Sequence, residues 1–440
     1  MALTKVSFSM IDGAFVNVLD YGATGDGVTN DTIALQAAID ATPEGGTLYF
    51  PVGTYLFSNI TISESIEIFG EGWYVKPNRP FGNAEWLLPD AYGGAVLKST
   101  ATSGAAITFS NNSLVKHFRM QNVAVIGPGT GTSIGVSVAN TVIATVQNRM
   151  VNVLVANFSV GVRFINSYES QFTSLLIRGC QRGFFAPNVS GGGIFSDNHF
   201  YRCGFETCDE GVNLQQASGI SFHGCLWQNC TEGLRLQPQV AGGVETITVE
   251  GESWFENVGG NGINIDATNG SLKHLIFKQI RMGGGGIVFG GAQAVNYVTF
   301  KEFSAGGVAL TIPATATNIY VEQSEFLSIT DNSKRALIVA GNSSPRILGW
   351  IRFNGTASTV TASNNLTLTK NGTGDYSLAF TNQPASTNYT ATVSCQMFGI
   401  GPLVAELYSL STTGMNCRVF TPAGVLTDTG QVYVIVVGNF

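Results

Sequence analysis

Apolar and polar residues along this chain follow one short pattern: apolar-x-apolar-x-x-small or apolar. It occurs at Phe118/Met120/Val123, Val151/Val153/Ala156, Leu175/Ile177/Cys180 and Asn198/Phe200/Cys203. It continues at Ile220/Phe222/Cys225, Ile247/Val249/Glu252, Leu275/Phe277/Ile280, Val298/Phe300/Phe303 and Ile319/Val321/Ser324. After a longer first step the starts lie 24, 23, 22, 27, 28, 23 and 21 residues apart. A second pattern, Gly-apolar-x-apolar, follows most windows, as in Gly161-Val162-Arg163-Phe164, Gly183-Phe184-Phe185-Ala186, Gly211-Val212-Asn213-Leu214, Gly233-Leu234-Arg235-Leu236 and Gly262-Ile263-Asn264-Ile265. Alternation at period two means strands, with marked residues inside and their neighbours outside. Short strands repeating every 20–30 residues mean a solenoid whose turns stack at roughly 4.8 Å. The expected fold is therefore all-β: a parallel β-helix, right-handed by the chirality of parallel crossovers.

The repeat also gives the cysteines a role. The seven are Cys180, Cys203, Cys208, Cys225, Cys230, Cys395 and Cys417. An odd number in a long chain argues against a disulfide framework. Two Cys-x4-Cys pairs raise the question of zinc, but stacking answers it better. Cys180, Cys203 and Cys225 are expected in one inward column and Cys208 and Cys230 in another, as reduced core residues. Trp227 and Trp254 are expected to share an inward column. Glu252 falls in the inward column of Cys203 and Cys225, where an unpaired carboxylate is costly, so it is expected to escape outward.

An exposed terminal rung is an open sheet edge and needs a cap. The stretch NDTIALQAAIDA reads as a helix with Asn30 or Asp31 at its N-cap and Ile33, Ala37, Ala38 and Ile39 toward the core. Strands are expected at Thr47 to Phe50 and Thr54 to Phe57. The series Asp20-Tyr21-Gly22-Ala23, Gly25-Asp26-Gly27, Asn30-Asp31-Thr32, Phe50-Pro51 and Gly53-Tyr55 resembles the opening of the pectate-lyase-like β-helix superfamily, in the form found in bacteriophage tailspikes. The resemblance implies a homotrimeric virion appendage that binds, and often cuts, a bacterial surface polysaccharide. It supplies no catalytic residues, because this superfamily moves its active site between members. One departure follows Ile68 to Gly72, where residues 73–94 intervene with Trp73, Tyr74, Phe81 and Trp86 as a possible trimer contact, lid or long loop.

The expected organisation is a short N-terminal attachment segment (1–17), the β-helix with its helix cap (18–330), a linker (331–346) and a C-terminal antiparallel β-sandwich (347–440). The last is expected from alternating strands joined by turn dipeptides such as Asn354-Gly355 and Asn371-Gly372. It is similar to the terminal module of many phage fibres, which implies trimerisation, capping of the last rung, or receptor contact.

Composition narrows the function. Of 440 residues only 12% are charged, and the net charge is −7 with no basic run, so nucleic acid is not an expected partner. No run of 18 apolar residues exists, so no membrane span is expected. MALTKVSFSM lacks the apolar stretch of a secretory signal. If the protein works outside a cell, something other than secretion must release it; the tailspike resemblance implies a phage tail component held through its N-terminus to the tail or an adaptor, made in the bacterial cytoplasm and released on host lysis.

Glycoside hydrolysis needs two carboxylates about a sugar. No Asp or Glu occurs from 98 to 168, and then acids gather: Glu169, Asp197, Glu206, Asp209, Glu210, Glu232, Glu250, Glu252 and Glu256. Glu206 and Asp209 lie three apart, and Glu210 is expected to stack on Glu232. Glu206, Asp209, Glu232 and Glu256 are the catalytic candidates. The bland alternative is solvated turn acids. A polysaccharide lyase would instead need a base and a cation to neutralise a uronate. An outward column is expected to read Arg178, Tyr201, His223, Glu250, Lys278, Lys301, Glu322, with His199 and Arg202 beside Tyr201. Arg178, His199, Tyr201, Arg202 and His223 are the substrate-binding candidates. A third possibility is a spike that binds through aromatic faces without cutting. No cofactor or metal is expected.

Overall fold

The computed structural model describes residues 15–72, 94–110, 117–139, 144–189, 193–239, 243–333, 337–340, 346–381, 389–396, 403–421, 423–428 and 431–438. Most of the expected attachment segment, nearly all of the 73–94 insertion and half of the expected linker lie outside the described residues. The chain divides into two compact units, Met1–Ile338 and Val339–Phe440.

The first unit is a right-handed parallel β-helix. Each full rung contributes one strand to each of three parallel sheets, here named A, B and C in the order the chain visits them. In one rung these are His199–Tyr201, Gly204–Glu206 and Glu210–Leu214. In the next they are Ala217–His223, Leu226–Gln228 and Glu232–Leu236. The windows at Asn198 and Ile220 stack as expected, Phe200 on Phe222, and Glu210 stacks on Glu232. Phenylalanine forms the spine of the core: Phe172, Phe200 and Phe222 stack with centroids 4.5 and 4.6 Å apart. In sheet B, Trp227 lies between Phe205 at 5.4 Å and Phe255 at 4.4 Å.

The glycine column has a steric cause. It sits where the chain enters sheet C. A Cβ on Gly233 would lie 2.5 Å from the Gly262 carbonyl oxygen and 2.9 Å from the Phe255 ring. Any side chain there would push adjacent rungs apart. Other corners turn at non-glycine residues with positive φ, among them Gln147, Glu169 and Asp197 near 50–54°.

Four expectations are corrected by the register and a fifth is met. The windows at Val151 and Leu175 are out of phase with sheet A, where Met150 and Phe172 are the stacked residues. Sheet B repeats the same inward pattern a few residues later, with Ile177 under Phe205, so periodicity alone confused one sheet with the next. For that reason Cys180 does not stack under Cys203. It precedes Cys208 and Cys230 in one column, while Cys203 and Cys225 form the other. All seven cysteines are free thiols. Arg178 leaves the Tyr201/His223 column for sheet B, and Thr173 takes its place under Tyr201. Trp254 points outward, 40% exposed, while Phe255 stacks on Trp227. Glu252 does escape to the surface, in a positive-φ turn, and Ser253 fills the inward position.

The cap is the helix Thr32–Ala41. Its buried face is Leu35, Ala38 and Ile39, whereas Ile33 is 87% exposed and Ala37 is also outward. Asp31 occupies the N-cap position but turns inward, accepting from Thr24 N at 2.7 Å and Gly25 N at 3.2 Å. Asn30 Oδ1 instead accepts from Thr32 N. That anchoring of Asp31 sets the helix rotation.

The second unit contains two four-stranded antiparallel sheets. Ile351, Phe353, Tyr376, Leu378, Cys417, Val432, Val434 and Val436 form one shared core between them. Val432, Val434 and Val436 of the last strand alternate with outward Ile435 and belong to this sandwich core.

Candidate active site on the outer face of sheet A

The predicted site residues fall on three separate faces of the β-helix. His199, Tyr201 and His223 project from sheet A, where Tyr201 and His223 have ring centroids 6.2 Å apart and His199 and Tyr201 6.3 Å. Arg202 sits at the corner after sheet A, exposed, with φ of 51°. His223 Nδ1 lies 3.7 Å from Glu250 on the next rung.

Arg178, Glu206 and Glu256 project from sheet B. Arg178 is ion-paired with Glu206 on the neighbouring rung. Gln228 stands between the two glutamates and donates to Glu256 at 2.6 Å. Glu206 and Glu256 are thus two rungs apart, roughly 9–10 Å along the axis, and each is held by a neighbour.

Glu232 and Asp209 belong to the edge of sheet C. Glu232 is bound by Arg235 at 3.4 Å and by Asn261 and Asn264. Arg235 also reaches Glu210 at 2.9 Å and Asp266 at 3.2 Å, and Arg182 holds Glu210 at 2.8 Å. Burial acts to raise the Glu210 pKa, but hydrogen bonds from Asn213 and Arg182 and the charges of Arg182 and Arg235 outweigh it, and the net shift is downward. Asp266 is lowered likewise: burial opposes, while Thr268 and Arg235 prevail. The network favours the charged form of Glu210 and Asp266 and suits joining rungs. Asp209 is exposed and lines a cleft of about 320 Å³ with Gln181, Arg182 and Glu210. Sequence reasoning grouped Glu206, Asp209, Glu232 and Glu256; the structure does not bring these four together.

A different constellation does converge. A cleft of about 370 Å³ is lined by Gln147, Asn148, Arg149, Glu169, Gln171, Asp197 and His199. Glu169 and Asp197 occupy the same corner on adjacent rungs, roughly 4.8 Å apart in the backbone, each exposed and each in the left-handed region. A buried polar ladder makes that corner. Asn148 Nδ2 donates to Thr145, Ser167 and Ser170 hydroxyls at 2.9–3.1 Å. Asn198 Oδ1 accepts from Ser170 N at 2.7 Å and its amide donates to Ser167 O. With the inward asparagines fixed, the preceding residues (Gln147 and Asp197) are turned out to solvent. Gln147 donates to Glu169 at 3.2 Å, and Ser196 to Asp197 at 3.3 Å. His199 is held through Nδ1 by Ser221 Oγ at 2.7 Å.

Of this set only His199 was a site candidate from sequence; Glu169 and Asp197 were merely two acids among nine. One signal could have found them. Gln147 to Glu169 and Asp197 to Gly219 are both steps of 22, and Glu169 is the first acid after the acid-free stretch.

Stacked polar corners on a parallel β-helix define the class: a solenoid scaffold displaying a polar cleft on one sheet. The sequence profile described as rhamnogalacturonase A/epimerase, pectate lyase-like matches residues 15–235, half of the chain, and the chain belongs to that family. Mannuronan C5-epimerase AlgE2 of Azotobacter vinelandii is 47% identical over 66 residues, 13% of this chain and 7% of that protein. The capsule KN3-specific depolymerase 1 of Klebsiella phage KN3-1 is 28% identical over 209 residues, 43% of this chain. This match spans 25% of the depolymerase. Among solved structures, the gp42 tailspike of Acinetobacter phage vb_AbaP_AS12 superposes with a TM-score of 0.49 at 12% identity, covering 96% of this chain and 81% of that one. No helix among the described residues is long and apolar enough to cross a membrane.

Proposed function

We propose that the chain is a bacteriophage tailspike that binds and depolymerises a bacterial capsular or O-antigen polysaccharide by glycosidic hydrolysis. The observation that carries this reading is the pair Glu169 and Asp197 on adjacent rungs, facing one cleft with Arg149 and His199. Phage capsule depolymerase homology supports the substrate class. Carboxyl groups about 5–5.5 Å apart suit double displacement, whereas wider pairs leave room for a water. Stacking on adjacent rungs favours the first. One carboxyl protonates the departing glycosidic oxygen as the other attacks the anomeric carbon; water then releases the sugar. Gln147 and Gln171 offer amides to sugar hydroxyls. The spike is a homotrimer, part of the virion tail, joined through its N-terminus to the tail or an adaptor.

A lyase is the second reading. His199, Tyr201 and His223 line one face beside Arg149, which supplies the cation that Arg178, on sheet B, does not. The test mixes purified protein with surface polysaccharides from candidate hosts and follows chain length, reducing ends and absorbance of unsaturated uronate. Shortening with new reducing ends and no absorbance is expected. Glu169→Gln and Asp197→Asn should each abolish shortening while binding persists. Growing absorbance would move the chemistry to His199 and Tyr201. Binding without shortening of any polymer would refute both enzymes and leave an adhesive spike.

A further inference from the structure

One outward column of sheet A carries charge in an unusual order: Glu67, Arg119, Arg149, Gln171, His199, Ser221. Arg119 and Arg149 are directly opposed on neighbouring strands, both exposed. Like charges so placed are destabilising. Glu67, the one carboxylate of the column, is engaged by Gln121. Among the described residues no carboxylate lies within ion-pair distance of either arginine, although elsewhere on the β-helix arginines are paired across rungs, as in Arg178–Glu206 and Arg182–Glu210.

The surroundings point the same way. From 98 to 168 the chain has five lysines and arginines (Lys98, Lys116, Arg119, Arg149, Arg163) and no Asp or Glu. The stretch is +5 in a chain of net −7, so the remainder carries −7 − 5 = −12. Two of these charges adjoin the cleft, since Arg149 lines it and Arg119 lies one rung before it.

We infer that Arg119 and Arg149 form an anion-binding rail for an acidic polysaccharide, holding a charged sugar one to two rungs on the N-terminal side of Glu169 and Asp197. The inference rests on the cleft being the polysaccharide site. Two exposed guanidiniums without carboxylate partners among the described residues give a positive field, and a bound polymer carboxylate removes their mutual repulsion as it gains paired hydrogen bonds. The anion is offset from the carboxylate pair, which separates the charged sugar from the bond that is cut.

The experiment measures binding, not cleavage. Affinity electrophoresis of the full chain uses gels containing alginate, polygalacturonate, the carboxyl-reduced form of each, or dextran sulfate. Retardation is expected with the carboxylated polymers and not with their reduced forms. It should fall at least tenfold between about 0.05 and 0.5 M salt as the Debye length shrinks from roughly 14 to 4 Å. Arg119→Gln and Arg149→Gln should each weaken it about three- to tenfold. Arg163→Gln, on sheet C, should leave it unchanged and controls for net charge. Retardation by dextran sulfate alone would replace a carboxylate rail by a sulfate one and overturn the assignment to uronates. Equal binding of native and reduced polymers, indifference to both substitutions, or a change of oligomeric state in their place would overturn the rail. Binding through the rail, with no candidate-host polysaccharide cleaved in the separate cleavage assay, would sink the hydrolase reading and leave the rail standing.

Discussion

Replacing Trp227 by alanine tests the register of the β-helix more sharply than any other single change. Trp227 is fully buried, with its ring 4.4 Å from Phe255 at an interplanar angle of 5° and 5.4 Å from Phe205. A buried tryptophan withdraws about 200 Å² from water, worth about 5 kcal/mol at 25 cal/mol per Å². Its indole N–H is buried with no hydrogen-bond partner among the described residues. Deleting an unsatisfied donor returns about 1–2 kcal/mol. The net loss should be about 3–4 kcal/mol, within the range of tryptophan truncations in cores. Trp254→Ala is the matched control. Its ring is outward and 40% exposed, so solvent fills the vacated space and the loss should be below about 2 kcal/mol. The assay is guanidinium denaturation followed by far-ultraviolet circular dichroism, because both variants lose a fluorophore. Equal losses, or a larger loss from Trp254→Ala, would mean that Trp254 and not Phe255 stacks on Trp227, and would refute the register of sheet B.

Gly233→Ala should destabilise the β-helix by about 1–3 kcal/mol, read as a lower denaturation midpoint, since its Cβ would meet the Gly262 carbonyl and the Phe255 ring. The thiols of Cys203 and Cys208 are buried and pushed well up, Cys203 by desolvation and Cys208 chiefly by hydrogen bonding with Cys180. Native protein should therefore react with Ellman's reagent at Cys395, which is half-exposed, and release the other thiols only on denaturation. Glu210→Gln should destabilise at pH 7. The folded-state pKa of Glu210 is depressed, so its contribution is full above the unfolded value of about 4.3 and is lost as pH falls through the folded value. The gap between wild type and variant should close below about pH 4, and a constant gap would contradict the Arg182 and Arg235 pairing. Glu169→Gln should reduce cleavage at least a hundredfold with binding retained, whereas Glu232→Gln should alter thermal stability and leave the rate within about threefold.

Much of the architecture was legible because the rung period is written in large inward side chains. Phe200 over Phe222, the glycine column of sheet C and the surface escape of Glu252 all follow from alternation plus the cost of burying charge or bulk. The misplacements of Arg178 and Cys180 share one cause. Sheets A and B carry the same inward pattern a few residues apart, so a sliding motif settled on Leu175/Ile177 where Phe172 was the stacked residue, and moved Arg178 and Cys180 with it. The helix face was misjudged because Asp31, which looks like a surface cap, is pulled inward by Thr24 and Gly25. The candidate site was least legible. Glu169 and Asp197 stand at corners with positive φ, where period-two alternation stops assigning faces, and Arg149 gains meaning only beside Arg119 on another rung.

Those corners have an evolutionary consequence. Gln147, Glu169, Asp197, Gly219, Thr246, His274, Tyr297 and Asn318 follow one another up the same corner, and all but the glycine are non-glycine residues with positive φ. The bend at Gln147 and Asp197 is held from inside by Asn148 and Asn198, and these outward residues carry none of the hydrophobic core. Their identities can therefore drift one rung at a time while the scaffold stays intact. On the proposed reading, a lineage facing a host that changes its coat could retune the strip on rungs beyond Glu169 and Asp197, leaving the folding code behind it untouched.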